Sequence, residues 1–404
     1  MSAFAGLVGN RELVGFSLLA ADTHAMSSRG RTLRLATRGS DLALRQAYSI
    51  KETLETRRRA VELVEVETTG DQIQDELIHR LGKTGAFVRS LDQKIIDGEV
   101  DAAVHSMKDM PTEMPEDLVV AGVPDRAAAG DLLVTPDGKT LDEFPEGATV
   151  GTSSLRRGAQ LQAERPDLDI QPLRGNVDTR IQKLLAPGLQ REHEARSDAE
   201  KERKEKVDDD EYEFPYDRNV EEWFDDLAEI ERLALERDVD VEYDAIVLAA
   251  AGLDRIGLRH HVSTVELDPE RFVPAPGQGA LAITALDGET AEEINDAIDH
   301  PPTRVATTVE RTVLATLGGG CIAPIGVHAA LQGSVVRTTV RVLSRDGSEE
   351  VAATRDLPVH RHPTAAREFA SDLREEGAAT LIEEATREAD ETEPATRREE
   401  ADEE

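Results

Sequence analysis

The chain has 404 residues, of which 82 are acidic and 47 are basic, so its formal net charge at pH 7 is −35. A surface this negative repels nucleic acid and anionic membranes, so neither is expected as a partner. The acids run along the whole chain, which neither an acidic tail nor generic solubility explains. We interpret them as a halophilic adaptation, in which concentrated cations screen the self-repulsion.

Length and cysteine content limit the architecture. A chain of 404 residues is expected to form two or three domains, and its single cysteine excludes an internal disulfide. No apolar run approaches the roughly 20 residues that span a bilayer, and the start of the chain does not resemble a signal peptide. We expect a cytoplasmic protein in which either Met26 is the natural start or residues 1–30 form a disordered extension.

Strands and helices alternate in the first part of the chain, which predicts a parallel, doubly wound α/β sheet. The strands are expected at Thr32 to Thr37, Val61 to Glu67 and Val100 to His105, and the helices at Asp41 to about Thr56 and Ala86 to Ile96. After a split near Pro124 to Gly130 the pattern restarts. Its strands are expected at Thr149 to Gly151, Asp169 to Leu173 and Tyr243 to Ala249, and its helices at Leu155 to Glu164 and Val177 to Leu185.

Residues 189–240 interrupt this pattern with an excess of acids, and we interpret them as a solvated insertion without a chemical role. A surface helix is expected within it, from Val220 to Arg237. A third unit is expected from near Ala280. Its helices are predicted around Ala291 to Ile298, at Thr303 to Leu317 and from about Thr364 to Ala389, and its strands at Gly326 to Leu331 and Val335 to Leu343. Residues 391–404 are predicted to be an acidic disordered tail.

Two short segments at strand ends are candidates for chemistry. Lys108 and Asp109 follow a buried strand, where open α/β sheets bind ligands, although such a pair is more often a surface ion pair. The segment Gly151 to Arg157 leads from a strand into a helix, and exposed N–H groups at a helix start bind anions. Two arginines in that first turn oppose the helix dipole, so they indicate a bound anion; the alternative is an ordinary cap with solvated arginines.

Arginines follow several of the predicted strands. They are Arg38, Arg156, Arg157, Arg174, Arg180 and Arg255. Because guanidinium groups pair with carboxylates in a bidentate manner, this pattern favours a site for a small molecule with several carboxylates. A phosphate ligand or scattered solvated arginines remain as alternatives.

Cys321 follows three glycines, which predicts a mobile or unusually tight loop. A thiol on such a loop suits a nucleophile or an attachment point, although a lone cysteine is most often a small buried residue. No metal site is predicted, because His260 and His261 have no further ligand at a suitable spacing, nor do His360 and His362.

Together these segments resemble the hydroxymethylbilane synthases, also called porphobilinogen deaminases. The matching motifs occur in family order over roughly residues 31–385, apart from the insertion. They are Ala36–Ser40 with Leu42–Leu44, Thr69–Asp71, His105–Pro111, Gly151–Arg157, Arg174–Arg180, Asp244–Ile246 with Ala249–Leu253, Pro276–Ala280 and Gly319–Cys321. Any one motif is weak alone, whereas all of them in order are very specific.

The resemblance implies an α/β fold of three domains. Two would be doubly wound lobes like those of periplasmic binding proteins, and a smaller α/β domain would carry the cofactor cysteine. The implied boundaries are 31–125 plus about 260–279 for domain 1, 126–259 for domain 2 with its insertion at about 189–240, and 280–390 for domain 3. The family also implies a monomer.

The resemblance implies a transferase that condenses four porphobilinogen molecules head to tail with release of ammonia. The product would be 1-hydroxymethylbilane, built on a dipyrromethane cofactor that a thioether attaches to Cys321. Asp109 matches the catalytic carboxylate, which stabilises the cationic azafulvene left by loss of ammonia. The family positions that contact the cofactor correspond to Lys108, Ser154, Arg156, Arg157, Ser40 and Arg180. The family positions that contact the substrate correspond to Arg38, Arg174, Arg255, Phe87 and Lys83.

One departure concerns the active-site loop, where Gly82 to Phe87 places the lysine one position further from the phenylalanine than the family pattern does, which puts Lys83 in doubt. Two rival hypotheses remain. A two-lobed binding protein for a small polycarboxylate would explain the arginines but does not need Cys321. An inactive relative would lack residues such as Asp109 and Cys321, and both are present.

Overall fold

The computed structural model describes residues 32–57, 59–66, 86–206, 212–320 and 322–391, with the side chains of 86–89 and 390 left out. In this part of the chain the strands are β1 Leu33–Arg38, β2 Val61–Val66, β3 Ala102–Ser106, β4 Leu118–Gly122, β5 Asp131–Thr135, β6 Thr149–Gly151, β7 Asp169–Gln171, β8 Ala245–Ala249, β9 Ser263–Glu266, β10 Leu281–Leu286, β11 Ile325–Gln332, β12 Val335–Leu343 and β13 Glu350–Pro358. The helices are α1 Asp41–Leu54, α2 Ala86–Ile96, α3 Leu155–Glu164, α4 Val177–Glu205, α5 Val220–Asp226, α6 Glu229–Leu235, α7 Ala250–Ile256, α8 Glu289–Ile298, α9 Pro301–Leu317, α10 His362–Leu373 and α11 Ala379–Glu391.

Two five-stranded sheets share one topology. The first unit has the strand order β2-β1-β3-β10-β4 and the second unit β7-β6-β8-β5-β9. In each sheet four strands run in one direction, and the fifth, β10 or β5, lies antiparallel between two of them. The strands predicted from the sequence are parallel to one another, as expected, but the additional strands β10 and β5 make both sheets mixed. The physical reason is connectivity, because β5 and β10 are the strands by which the chain enters one sheet from the other.

Two crossover segments connect the first and second units. The first crossover, residues 123–130, leads from β4 to β5, and the second, residues 267–280, leads from β9 back to β10. They are hydrogen-bonded to each other, from Ala127 N to the Gly279 carbonyl at 3.2 Å and from Gln278 Nε2 to the Ala129 carbonyl at 2.6 Å. The second crossover, which includes Pro274 to Gly279, thus returns the chain to the first sheet.

The start of the expected third unit needs a correction. The sequence pattern predicts it near Ala280, but β10 is hydrogen-bonded between β3 and β4 in the first sheet, and Ala291 and Ile294 of α8 pack in the core of that sheet. An apolar strand followed by a helix does not reveal from its sequence which sheet it joins. The sheet that carries the glycine loop begins only after α9.

The third unit is an antiparallel sheet, β11-β12-β13, with α9, α10 and α11 packed against it. Its core centres on Val309, Val340 and Phe369, each fully buried. The final helix predicted from about Thr364 to Ala389 is divided into α10 and α11 by a π-helical turn at residues 374–378, where Gly377 has a φ of +119°. That backbone conformation ends a regular helix, and glycine adopts it without strain.

The insertion folds against the second unit. Helix α4 continues from the predicted segment through Pro187 to Glu205, and the predicted surface helix is divided into α5 and α6. Arg237 donates through Nε to Gln182 Oε1 on α4 at 2.6 Å, and Ile230 of α6 packs in the core of the second unit. Specific contacts therefore hold this segment, although its sequence indicates solvation.

Candidate functional site

Lys108 and Asp109 lie on a short 3₁₀ turn, Met107–Asp109, directly after β3. The neighbours Met107 and Met110 are buried at 2% and 3% exposure, whereas Lys108 and Asp109 are exposed. The backbone N–H of Met107 donates to the Ala280 carbonyl at 3.0 Å. Two buried methionines and one backbone hydrogen bond thus hold the turn, and the charged pair is left to face outward.

The second crossover packs under this turn. Gly277 has a φ of +74°, and a Cβ at that position would lie 2.6 Å from Cγ of Met107. Only glycine therefore allows the crossover to approach the turn so closely. Behind the turn, buried His105 contacts Thr284 Oγ1 at 2.9 Å, and this hydroxyl donates to Asp92 Oδ1 at 3.1 Å, so polar groups on three elements fix the end of β3.

The two arginines at the start of α3 are paired within the protein. Asp131, the first residue of β5, is 2% exposed. It accepts hydrogen bonds from Arg156 Nη2 at 2.8 Å, from Arg157 Nη2 at 2.7 Å and from Gln278 Nε2 at 2.8 Å. The anion that the sequence pattern indicated at this helix start is therefore, in this structure, the carboxylate of Asp131.

This buried cluster connects the start of α3 to β8 and to the second crossover. Arg156 Nη1 donates to the Val273 carbonyl at 2.8 Å, and Arg157 Nη1 to the Val247 carbonyl at 3.2 Å. Burial by itself would raise the pKa of Asp131, but the two guanidiniums hold it well below its usual range. Desolvation lowers the pKa of Arg156. Two buried guanidinium groups and one buried carboxylate therefore lie close to the turn that carries Lys108.

Electrostatic interactions connect this cluster to the turn. Asp109 is the strongest single influence on the pKa of Lys108 and raises it, but desolvation and the positive charges of Arg157 and Arg180 bring it below its ordinary value. Lys108 is exposed at the surface, and the surrounding protein still desolvates its ammonium. Desolvation, together with Arg157, lowers the pKa of Arg180 to about 10. Cations crowded in this way favour an anionic ligand.

The remaining predicted residues lie at other strand ends or at the start of the helices that follow these strands. Arg38 is the last residue of β1, and Ser40 caps α1 by accepting from Ala43 N at 3.3 Å. Ser154 caps α3, accepting from Arg157 N at 3.5 Å. Arg180 on α4 donates through Nε to the Gly175 carbonyl at 2.8 Å.

Two further arginines differ in how they are held. Arg255 at the end of α7 reaches the second crossover, where Nη2 donates to the Gly279 carbonyl at 2.8 Å, and desolvation lowers its pKa. Arg174 follows β7 and is half-buried, and within the described residues its guanidinium has no hydrogen-bond or ion-pair partner. Arg174 is thus available to a ligand.

The loop after α9 begins with three glycines in the left-handed region. Gly318, Gly319 and Gly320 have φ values of +84°, +81° and +50°. A Cβ on Gly319 would also lie 2.6 Å from Cγ2 of Ile382. Glycine is therefore required at this position both by the positive φ and by the lack of space for a side chain. The expectation of an unusually tight loop is consistent with these angles. Cys321 itself, Lys83 and the side chain of Phe87 lie outside the described residues.

Sequence reasoning missed two groups that organise the site. Asp131 is one, and its signal was the pair of arginines at a helix start, which needs a counter-charge. Glu310 is the other: it is fully buried on α9 and accepts from Arg126 of the first crossover at 2.7 and 3.0 Å and from Gly277 N at 2.6 Å. One helical glutamate among 82 acidic residues gives no signal of its partners.

Within the described ranges, no group of three or more histidine, cysteine or carboxylate side chains is arranged to hold a metal ion. No described helix is both long and apolar enough to cross a membrane.

Fold and site together define a multi-unit α/β protein with cations gathered at strand ends around an exposed lysine–aspartate turn. A family model described as porphobilinogen deaminase, dipyrromethane cofactor binding domain, matches residues 33–195 and 230–293, and one described as porphobilinogen deaminase, C-terminal domain, matches 305–377. The chain belongs to the porphobilinogen deaminase family. It is an enzyme, a transferase of tetrapyrrole biosynthesis that uses a dipyrromethane cofactor.

The match with each curated relative extends over nearly the whole length of that relative. A probable porphobilinogen deaminase of Halobacterium salinarum is 54% identical over 391 residues, which is 88% of this chain and 99% of the relative. One from Methanococcoides burtonii is 36% identical, covering 87% of this chain and 96% of the relative, and a porphobilinogen deaminase of Syntrophobacter fumaroxidans is 36% identical, covering 88% and 98%. The halophilic interpretation of the acid excess fits the first of these relatives.

Among solved structures, a methionine binding protein is similar with 13% identity and a TM-score of 0.34, covering 66% of this chain and 89% of that chain; this likeness is too weak to carry an argument. The gap in the first family match, residues 196–229, lies inside the predicted insertion.

The residues of the site fit a dipyrromethane. A pyrrole chain with acetate and propionate groups needs cations that the protein does not neutralise itself. Arg174 has no hydrogen-bond or ion-pair partner among the described residues, and the buried Nε of Arg156, whose guanidinium is otherwise paired with Asp131, has no hydrogen-bond acceptor among them. Lys108 and Arg180 carry lowered pKa values beside these groups. Positive charge therefore exceeds what the chain's own carboxylates offset at this place.

Proposed function

We propose that this chain condenses four porphobilinogen molecules head to tail and releases one ammonia for each. The pyrrole chain grows on a dipyrromethane that a thioether attaches to Cys321, and hydrolysis then frees 1-hydroxymethylbilane. Family membership supports the overall reaction. The observation that carries the site assignment is the exposed Lys108–Asp109 turn, which interacts electrostatically with Arg157 and Arg180.

Asp109 is proposed as the catalytic carboxylate. It is exposed at a strand end, and its buried neighbours Met107 and Met110 anchor the turn that carries it. Loss of ammonia leaves positive charge on the pyrrole, which a fixed carboxylate stabilises. The same group accepts and returns protons at pyrrole nitrogens.

The cationic and hydroxyl side chains of the site are proposed to have different roles, depending on whether the protein itself pairs them. Lys108, Arg180, Ser40 and Ser154 are proposed to hold the cofactor's carboxylates, with Arg38, Arg174 and Arg255 holding the substrate, as the resemblance assigns them. Arg156 and Arg157 are paired with Asp131, so we propose that they act on the cofactor mainly by their field and by fixing the start of α3. Phe87 and Lys83 stay predictions from the resemblance.

The alternative of a two-lobed binding protein is not favoured, because the chain matches both the cofactor-binding and the C-terminal family models. We also propose a monomeric protein that acts in the cytoplasm. The proposed domain division follows the resemblance, with the third domain moved to begin at α9, since β10 and α8 pack with the first sheet.

The intact mass of purified protein tests this proposal. Wild type is expected to carry the added mass of one dipyrromethane, and Cys321→Ser is expected to carry none, because the chain has no other thiol. A wild-type protein that is unmodified and gains no mass with porphobilinogen would contradict the assignment.

Asp109→Asn separates attachment from turnover. This variant is expected to keep the covalent mass but to lose product formation by at least about 100-fold, the usual scale of acid–base catalysis. Asp117→Asn is the matched control, because Asp117 is an exposed carboxylate on the same unit, and it should keep wild-type activity. Equal rates in the two variants would remove Asp109 from the mechanism.

A further inference from the structure

A polar cavity lies between the first and third units, and Met107 from the turn after β3 contributes to its lining. Its volume is about 380 Å³, and one face of α9 lines it, with side chains recurring from Arg304 through Arg311 to Thr316. Val120 and Val123 from the first unit and Arg367 from α10 complete its lining. We call this space the α9 cavity.

The lining of the α9 cavity is unusual for this protein. It contains three arginines and five threonines and no carboxylate side chain, in a chain where acids outnumber bases by 82 to 47. Arginine forks and hydroxyl groups are the side chains that recognise oxyanions. The composition of the cavity is therefore opposite to that of the protein around it.

The three arginines differ in how their charges are balanced. Arg304 is paired with Asp299 at 2.7 Å. Arg311 donates only to backbone carbonyls, those of Met110 at 3.2 Å and Pro111 at 2.5 Å, and it has no carboxylate within ion-pair distance in the described chain. Arg367 is exposed and has neither a hydrogen-bond nor an ion-pair partner among the described residues.

Two positive charges thus face the cavity without a counter-charge from the described protein. Desolvation lowers the pKa of Arg311, which means that its charge is poorly hydrated where it lies. The hydroxyls of Thr308 and Thr312 on the same helix face are half-buried, and neither donates to a partner within the described ranges. An anion in the cavity would meet donors from α9 and α10 together.

We propose that the α9 cavity binds a small anion that carries carboxylate or phosphate groups. The volume lies at the lower end of the roughly 300–1,000 Å³ of ligand sites, so a compact anion fits and a tetrapyrrole chain does not. This site is distinct from the catalytic one, because its lining includes neither Lys108 nor Asp109.

Direct binding to the purified holoenzyme tests the proposal. Citrate and inorganic phosphate are titrated separately by calorimetry, at an ionic strength kept constant with KCl. Saturable binding of one ion per chain is expected for at least one probe, and the probe that binds identifies the carboxylate or the phosphate as the recognised group. Absence of saturable binding for both probes would overturn the proposal.

Two variants locate the site. Arg367→Gln is expected to weaken binding at least tenfold, because it removes one of the two uncompensated charges and disturbs no described contact. Arg387→Gln is the matched control: Arg387 is an exposed arginine on α11 without a partner in the described chain, and it does not line the cavity. Binding that Arg367→Gln leaves unchanged would place the ion elsewhere and refute the site, whereas an unchanged control supports it.

Discussion

Replacement of Asp131 by asparagine tests the buried cluster beneath the active site. Asp131 is 2% exposed and is the only carboxylate that Arg156 and Arg157 contact within the described chain. Asparagine keeps the size of the side chain but removes the charge, and it turns an N–H₂ donor toward guanidinium donors. Breaking a buried ion pair by removing one partner costs about 3–5 kcal/mol, so we expect Asp131→Asn to lose stability on that scale.

Urea unfolding in molar KCl measures this loss, followed by the fluorescence of Trp223. This is the single tryptophan of the chain, and it lies near Arg196 on α4 in the same unit as Asp131. With a urea slope of roughly 2–3 kcal/mol per M, the midpoint should fall by more than about 1 M.

The matched control is Asp198→Asn, because the ion pair of Asp198 with Lys201 is more than 70% exposed on both sides. Exposed pairs contribute about 0–1 kcal/mol, so this midpoint should hardly move. Equal shifts in the two variants would refute the electrostatic account of the cluster.

The pH dependence of the free energy of unfolding tests whether the charge of Asp131 stabilises the fold. The pKa of Asp131 is lower in the folded protein than in the unfolded chain, so its charge stabilises the fold at every pH above the ordinary aspartate value of about 4. As the pH falls below that value, the unfolded chain takes up the proton first and the stabilisation is lost. The difference between wild type and Asp131→Asn should therefore be constant from pH 5 to 8 and narrow below about pH 4.

Three further predictions concern the glycine loop, the contact between units and salt. Gly319→Ala should lower the thermal midpoint more than Gly320→Ala, since both carry positive φ but only the first adds a Cβ that meets Ile382. Glu310→Gln should cost about 3–5 kcal/mol and increase proteolysis of the first crossover, because it leaves the Arg126 guanidinium without its carboxylate partner. The thermal midpoint of wild type should rise with KCl concentration, because a net charge of −35 repels itself until cations screen it.

Each of these has a result that would count against it. Equal midpoints for the two glycine variants would mean that the contact with Ile382 is not retained in solution. Glu368→Gln is the control for Glu310, since its pair with Arg361 is about half exposed and should contribute no more than about 1 kcal/mol. A melting point that does not change between dilute buffer and molar KCl would remove the halophilic interpretation.

Most of the local structure followed from short-range patterns. Helices α2 and α3 have the bounds that their apolar period and flanking residues predict, and the strand ends that carry Arg38, Lys108 and Arg174 lie within a residue or two of their predicted places. Such signals depend on neighbours in the chain, so the sequence contains them in full. The family motifs likewise indicated which strand ends carry chemistry, because they fix residue types at these turns.

The tertiary structure determines which charged side chains are paired within the protein. The sequence shows two arginines at the start of α3 and an aspartate at position 131, but it does not show that they meet, since 25 residues separate Asp131 from Arg156. Strand β10 likewise joins the first sheet across more than 170 residues from β3, a pairing that depends on the path of both crossovers. Local sequence determines where helices and strands form and which strand ends are polar. Which buried charges find a partner, and which stay available to a ligand, depends on contacts between distant segments, because long-range packing alone brings them within a few ångströms.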